Sequence, residues 1–102
     1  MELELLTKNT EQVDNLTDLV YDLVEESGFK IIPQGGARLN TVPIDYEISD
    51  FHSNKKRIGR YEYRLKNGVY QIKLELQITE VYDKIVARIT KLHPELLESV
   101  SQ

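Results

Sequence analysis

The chain has 102 residues, of which 40% are hydrophobic and 29% are charged, with no cysteine and no tryptophan. A chain of this length is expected to form a single domain over residues 1–102, with a core of its own. The lack of cysteine excludes disulfides, thiol catalysis and cysteine-based metal sites. No apolar run approaches the roughly 20 residues of a membrane helix, and the first residues do not resemble a signal peptide. We therefore expect a cytoplasmic protein with no membrane partner.

The net charge of −4 conceals an uneven distribution along the chain. Residues 1–28 carry eight acidic residues and one basic residue, whereas residues 55–91 carry ten basic and four acidic residues. The two regions can complement each other within the fold, form opposed faces that meet in a homo-oligomer, or provide a basic patch for an anionic partner.

The first part of the chain predicts a strand and then a helix. Leu3 and Leu5 alternate with glutamates, which indicates a strand over about 2–6. Asn9 followed by Gln12 is typical of a helix start with a side-chain cap. Spacings of three and four then predict an amphipathic helix over about 10–27, which ends at Gly28. Its apolar positions are Val13, Leu16, Leu19, Val20, Leu23 and Val24.

The middle of the chain predicts two more strands and two loops. Phe29, Ile31 and Ile32 form a short apolar run that ends at Pro33. Residues 34–40 are typical of a flexible loop. Residues 42–49 alternate between apolar and polar side chains, which indicates a strand, and residues 50–56 form a polar loop.

Asn67-Gly68 predicts a β-hairpin, because a two-residue type I′ turn needs positive φ at both central positions. This turn fixes the register of the two strands that flank it. The apolar pairs are then Leu65–Tyr70, Tyr63–Ile72 and Tyr61–Leu74. The polar pairs on the opposite face are Arg64–Gln71, Glu62–Lys73 and Arg60–Glu75.

The last strand is predicted over about 69–78, and Thr79 is the predicted N-cap of a second amphipathic helix. Its apolar positions are Val81, Tyr82, Ile85, Val86, Ile89 and Leu92. Pro94 ends or restarts this helix, and residues 95–100 add one or two turns. We therefore expect an α+β two-layer sandwich, with two helices on one face of an antiparallel sheet of four to five strands. The ferredoxin-like βαββαβ plan fits this order best. The other sheet face is expected to carry Asp45, Glu47, Arg60, Glu62, Arg64, Lys73, Glu75 and Gln77.

Three segments resemble the CutA family of divalent-cation tolerance proteins. Ile78-Thr79-Glu80-Val81-Tyr82 through Lys91-Leu92-His93-Pro94 is similar to the second helix and Leu-His-Pro ending of that family. Arg60-Tyr61-Glu62-Tyr63 resembles the start of its central hairpin, and residues 9–33 resemble its first helix and second strand. Residues 35–56 have no counterpart there. The resemblance implies a ferredoxin-like fold, a homotrimer built through sheet edges, and a link to metal-ion or signalling biology.

A run of basic residues is the candidate partner-binding site. Lys55, Lys56 and Arg57 lead into Arg60 and Arg64, with tyrosines between them. Such a segment can bind nucleic acid or another anionic partner. The strand alternation, however, places Tyr61 and Tyr63 on the core face, away from the arginines.

Metal and catalytic chemistry have weaker candidates. His52 and His93 are the only histidines, and the CutA resemblance carries only His93 over as a motif residue. His93 can join Glu95 or Glu98 in a metal site between subunits, or it can simply end a helix next to Pro94. Asp45 with Glu62 or Glu75 can hold a hard cation for phosphodiester cleavage, or these residues are ordinary carboxylates on a wet sheet face.

We expect a non-enzymatic binding or regulatory module that self-associates through its β-sheet and needs no cofactor. A nucleic-acid-associated protein that uses residues 55–66 is the first alternative, and a metal-dependent nuclease is the second. On the first helix, five acidic residues share one face. This face can pack near the basic second helix, bind a cationic partner, or simply lie in solvent. These residues are Glu11, Asp14, Asp18, Asp22 and Glu25.

Overall fold

The computed structural model describes residues 1–34, 44–50 and 56–98. Its elements are β1 (Glu2–Thr7), α1 (Thr10–Glu26), β2 (Lys30–Pro33), β3 (Ile44–Asp50), β4 (Lys56–Lys66), β5 (Val69–Leu76), α2 (Thr79–Leu92) and α3 (Pro94–Glu98). The five strands form one antiparallel sheet in the order β1-β5-β4-β3-β2. The predicted α+β two-layer sandwich is therefore confirmed.

The helices cover one face of the sheet because both are amphipathic. All six predicted apolar positions of α1 are buried, and so are Val81, Ile85 and Ile89 of α2. These side chains join alternate strand residues, among them Leu5, Ile48, Tyr61 and Leu74, in one hydrophobic cluster. The core thus lies between the helix layer and a single sheet face, and no helix of the described residues lies over the opposite face.

The predicted order of strand, helix, four strands and helix is confirmed, but the sheet differs from a ferredoxin-like one in its connections. A ferredoxin-like sheet contains two split βαβ units. Here the one β-α-β connection joins β1 and β2, which lie at opposite edges with three strands between them. Among the described residues, α2 leads into the short helix α3 and no further strand. The ferredoxin-like description therefore holds only at the level of the two layers.

The hairpin between β4 and β5 has the predicted turn and register. Asn67 and Gly68 adopt φ values of 53° and 77°, as a type I′ turn requires. All the predicted cross-strand pairs form, including Tyr61 with Leu74 and Arg60 with Glu75. Local turn chemistry therefore determines which side chains of these two strands face the helices and which face outward.

A register shift in β4 determines where its basic end points. Ile48 pairs with Gly59 and Ser49 pairs with Arg57, so Ile58 is an extra residue between them. Both Ile58 and Gly59 are buried, and Arg57 is exposed. Without this bulge, strict alternation would place Ile58 outward and Arg57 in the core.

The helix ends fit the sequence only in part. The Asn9 side chain accepts a hydrogen bond from the Glu11 amide, as predicted for a cap. The N-cap of α2, however, is Ile78 rather than Thr79, and no side chain caps this helix. Leu92 was expected on the apolar face but is 53% exposed, because α2 ends there and Leu96 of α3 occupies the core instead. No helix in the described ranges has the length and apolar character needed to cross a bilayer.

Candidate functional site

The uncovered side of the sheet, which we call the open face, carries an ordered set of charges. The acidic side chains come mainly from β1 and β3 and the basic ones from β4 and β5. Within the described strands, the acidic residues are Glu2, Glu4, Asp45, Glu47, Glu62 and Glu75, and the basic residues are Arg57, Arg60, Arg64, Lys73 and, at the edge of the sheet, Lys30 of β2. The sequence predicted the contributions of β3, β4 and β5. Glu2 and Glu4 were missed because the pairing of β1 with β5 spans almost the whole chain.

Arg60 bridges two carboxylates that would otherwise repel each other. Asp45 and Glu62 are directly opposite in the β3–β4 ladder. The Arg60 Nε donates to Asp45 Oδ1 at 3.0 Å, and its Nη2 lies 2.9 Å from both Asp45 Oδ2 and Glu62 Oε2. These bonds, that to Asp45 above all, raise the pKa of the Arg60 guanidinium. Arg60 was expected to pair with Glu75, which lies opposite it, but its bonds go to the carboxylates of its own strand and of β3.

Lys73 repeats this arrangement on the next pair of strands. Glu2 and Glu75 are directly opposite in the β1–β5 ladder. The Lys73 Nζ lies 3.1 Å from Glu2 Oε1 and 3.9 Å from Glu75 Oε1. The hydrogen bond from Lys73 lowers the pKa of the Glu2 carboxyl, and the same contact raises the pKa of Lys73. Two like-charge pairs of the open face are thus each bridged by one cation.

The other predicted basic residues are spread along β4 rather than gathered into one tip. Lys56 is exposed opposite Asp50, and Arg57 lines a shallow groove of about 230 Å³ with Asp45, Glu47 and Arg60. Arg64, some seven residues further along, borders a separate groove of about 310 Å³. Lys55 and His52 lie outside the described residues. The basic side chains therefore alternate with carboxylates and form no continuous basic patch in the described part of the chain.

The tyrosines lie on the helix-covered side, as predicted, so they do not combine with the basic residues into a base-stacking platform. Tyr61 is fully buried, and burial raises the pKa of its hydroxyl. Its ring belongs to a series of neighbouring rings with centroids 5.8–6.4 Å apart. This series runs through Tyr21, Tyr46, Tyr61, Tyr63 and Tyr70.

The two candidate metal sites differ in what surrounds them. Between Asp45 and Glu62, the position that a hard cation needs is filled by the Arg60 guanidinium. His93 Nδ1 lies 3.8 Å from Glu95 Oε1, and that oxygen also accepts a hydrogen bond from Gln12 Nε2 at 2.7 Å. Over residues 1–34, 44–50 and 56–98, no group of three His, Asp or Glu side chains is arranged to hold a metal ion.

Comparisons of this chain with protein families, with curated proteins and with solved structures gave no match. The geometry of the open face is therefore the basis for a functional hypothesis.

The Glu2–Lys73 contact predicts how stability depends on pH. A carboxyl whose pKa is lowered by folding stabilises the protein above its unfolded pKa and loses this effect as the pH falls through the folded value. Lys73→Met should therefore reduce the loss of stability between about pH 5 and pH 3, because the contact is already absent. Urea unfolding at both pH values measures this difference. Lys66→Met is the control, because no ion pair of the Lys66 amine is seen in the described ranges, and equal losses in both variants would contradict the prediction.

Proposed function

We propose that this chain is a non-enzymatic binding module that self-associates through its β-sheet. The observation that carries the proposal is the open face, a five-stranded surface with no helix layer over it in the described part of the chain. A charged group that is already bonded within the chain costs less to remove from water than an unpaired one. The bridging positions of Arg60 and Lys73 therefore make this face suitable for a partner surface despite its many charges.

The distribution of charge across the strands supports a second copy as the partner. Acidic β3 lies next to β4, which carries Arg57, Arg60 and Arg64. When two open faces are stacked and one copy is shifted sideways by one strand spacing, about 4.8 Å, the acidic β3 of one copy lies over the basic β4 of the other. Leu6, which is 47% exposed, adds apolar surface beside the groove that Arg64 borders.

The experiment is the molar mass in solution, measured by light scattering after size exclusion. We expect the unmodified chain to exceed the monomer mass of 11.9 kDa and Arg64→Glu to fall towards it. Lys8→Glu is the matched control, since it makes the same change in net charge at an exposed residue between β1 and α1. A chain that is monomeric at every concentration, or one that both substitutions affect equally, would overturn the proposal.

The exposed basic residues Lys56, Arg57 and Arg64 keep nucleic acid as an alternative partner. The six carboxylates that share the open face with Arg57 and Arg64, and the buried position of Tyr61, make this alternative less favourable. A polyanion binds through contacts between its phosphates and unpaired cations, and Arg60 and Lys73 of this face are already bonded to carboxylates.

A further inference from the structure

A groove between α1 and α2 has walls of opposite charge. On the α1 side, the acidic wall consists of Asp18, Asp22 and Glu26, all exposed. On the α2 side, the basic wall consists of Lys84, Arg88 and Lys91, also all exposed. Two adjoining hollows of about 410 and 400 Å³ lie between these walls and share Leu23, Glu26 and Arg88. The exposed Leu92 lies at one end of the groove.

No close ion pair joins the two walls in the described residues. In the described ranges, every ion pair closer than 4.0 Å involves other residues, and none joins the acidic wall to the basic wall. Like charges spaced four residues apart on a helix are also mildly destabilising. Both walls therefore keep charges that a partner of matching pattern can pair.

We propose that a second copy of this chain docks its helix layer onto this groove, so that the acidic wall of each copy meets the basic wall of the other. A two-fold axis that runs along the groove exchanges the α1 and α2 sides, so acid faces base at both contacts. The acidic wall and the basic wall also match in length. At a rise of 1.5 Å per residue, residues 18–26 span about 12 Å and residues 84–91 about 10 Å.

This contact is separate from the sheet contact proposed above, since it uses the opposite side of the molecule. It is small and mainly electrostatic, so it is weak and sensitive to salt. Each docking arrangement is isologous and closes as a dimer on its own. The exposed Leu92 adds an apolar contact at the groove end.

The test is a pair of charge reversals in an Arg64→Glu background, in which the sheet contact is weakened. One variant carries Asp22→Lys and Glu26→Lys, and the other carries Arg88→Glu and Lys91→Glu. Each variant alone has two walls of the same sign, so we expect its self-association to weaken by about tenfold or more. A one-to-one mixture of the two has complementary walls at both contacts and should associate at least as tightly as the Arg64→Glu parent.

Sedimentation velocity at low and high salt measures the Arg64→Glu parent, the two variants and their mixture, and circular dichroism verifies that each variant is folded. A chain that combines all four substitutions has its walls exchanged and should regain self-association. A mixture that associates no more tightly than either variant alone would overturn the proposal, and so would reversals that leave self-association unchanged. Because the sheet contact is weakened throughout, failure here leaves the sheet proposal intact. A sheet proposal that fails because Arg64→Glu and Lys8→Glu have equal effects leaves this one intact, whereas a chain that is monomeric at every concentration overturns both.

Discussion

Gly59→Ala is expected to lower the free energy of unfolding by about 3 kcal/mol, because β4 and β5 leave no room for a side chain there. A β-carbon at Gly59 would overlap the Glu75 carbonyl oxygen and would lie 2.7 Å from Leu76 Cδ2. The carbonyl is part of the sheet backbone and cannot move aside without disturbing the β4–β5 ladder. Gly59 also adjoins the bulge at Ile58, so the strain falls where β4 changes register.

Urea denaturation compares this variant with Gly68→Ala. A β-carbon at Gly68 meets no atom within 4 Å, so its cost comes from the positive φ of 77° and should be about 1 kcal/mol. If Gly59→Ala is no more destabilising than Gly68→Ala, β4 does not approach Glu75 and Leu76 of β5 as closely as the structure shows.

Tyr61→Ala should destabilise the protein by about 4 kcal/mol, because it removes a fully buried aromatic side chain from the centre of the sheet. The Tyr61 ring contacts those of Tyr46 and Tyr63, with centroids 5.8 and 6.2 Å away. Its hydroxyl lies 2.9 Å from Thr17 Oγ1 on α1, and Thr17 in turn donates to the Val13 carbonyl. The ring therefore joins the sheet to the first helix.

Tyr61→Phe separates the ring from the hydroxyl. This variant keeps the ring and loses one hydrogen bond, so we expect a loss of about 1 kcal/mol. Chemical denaturation of both variants tests the prediction. Equal losses for Phe and Ala would contradict a role for the ring as the centre of the core.

The features predicted correctly from the sequence are those set by neighbouring residues. Asn67-Gly68 determined the hairpin register, because the turn geometry fixes which residues face each other. The spacing of apolar residues in α1 identified its buried face, and Asn9 identified its cap. These predictions need no knowledge of distant contacts.

Other features depend on contacts between distant segments and were not predictable in this way. The partner of Arg60 depends on how β3 pairs with β4, which places Asp45 opposite Glu62 and beside the Arg60 guanidinium. The position of β1 beside β5 places Glu2 within reach of Lys73. Leu92 is exposed because Leu96 of the short helix α3 takes the core position instead. In each case the prediction would have needed knowledge of tertiary contacts.

The binding module that we propose has two candidate surfaces on opposite sides of one sandwich, and they differ in how their charges are arranged. On the open face, Arg60 and Lys73 bond carboxylates within the chain. On the helix layer, acidic and basic side chains line one groove without such bonds in the described residues. The sheet contact should therefore depend less on salt than the helix contact.

The most direct test of the central proposal is sedimentation equilibrium of the unmodified chain beside Arg64→Glu at moderately high salt, where the helix contact is screened. We predict that the unmodified chain remains larger than a monomer and that Arg64→Glu approaches 11.9 kDa. An unmodified chain that sediments as a monomer under these conditions would contradict self-association through the sheet.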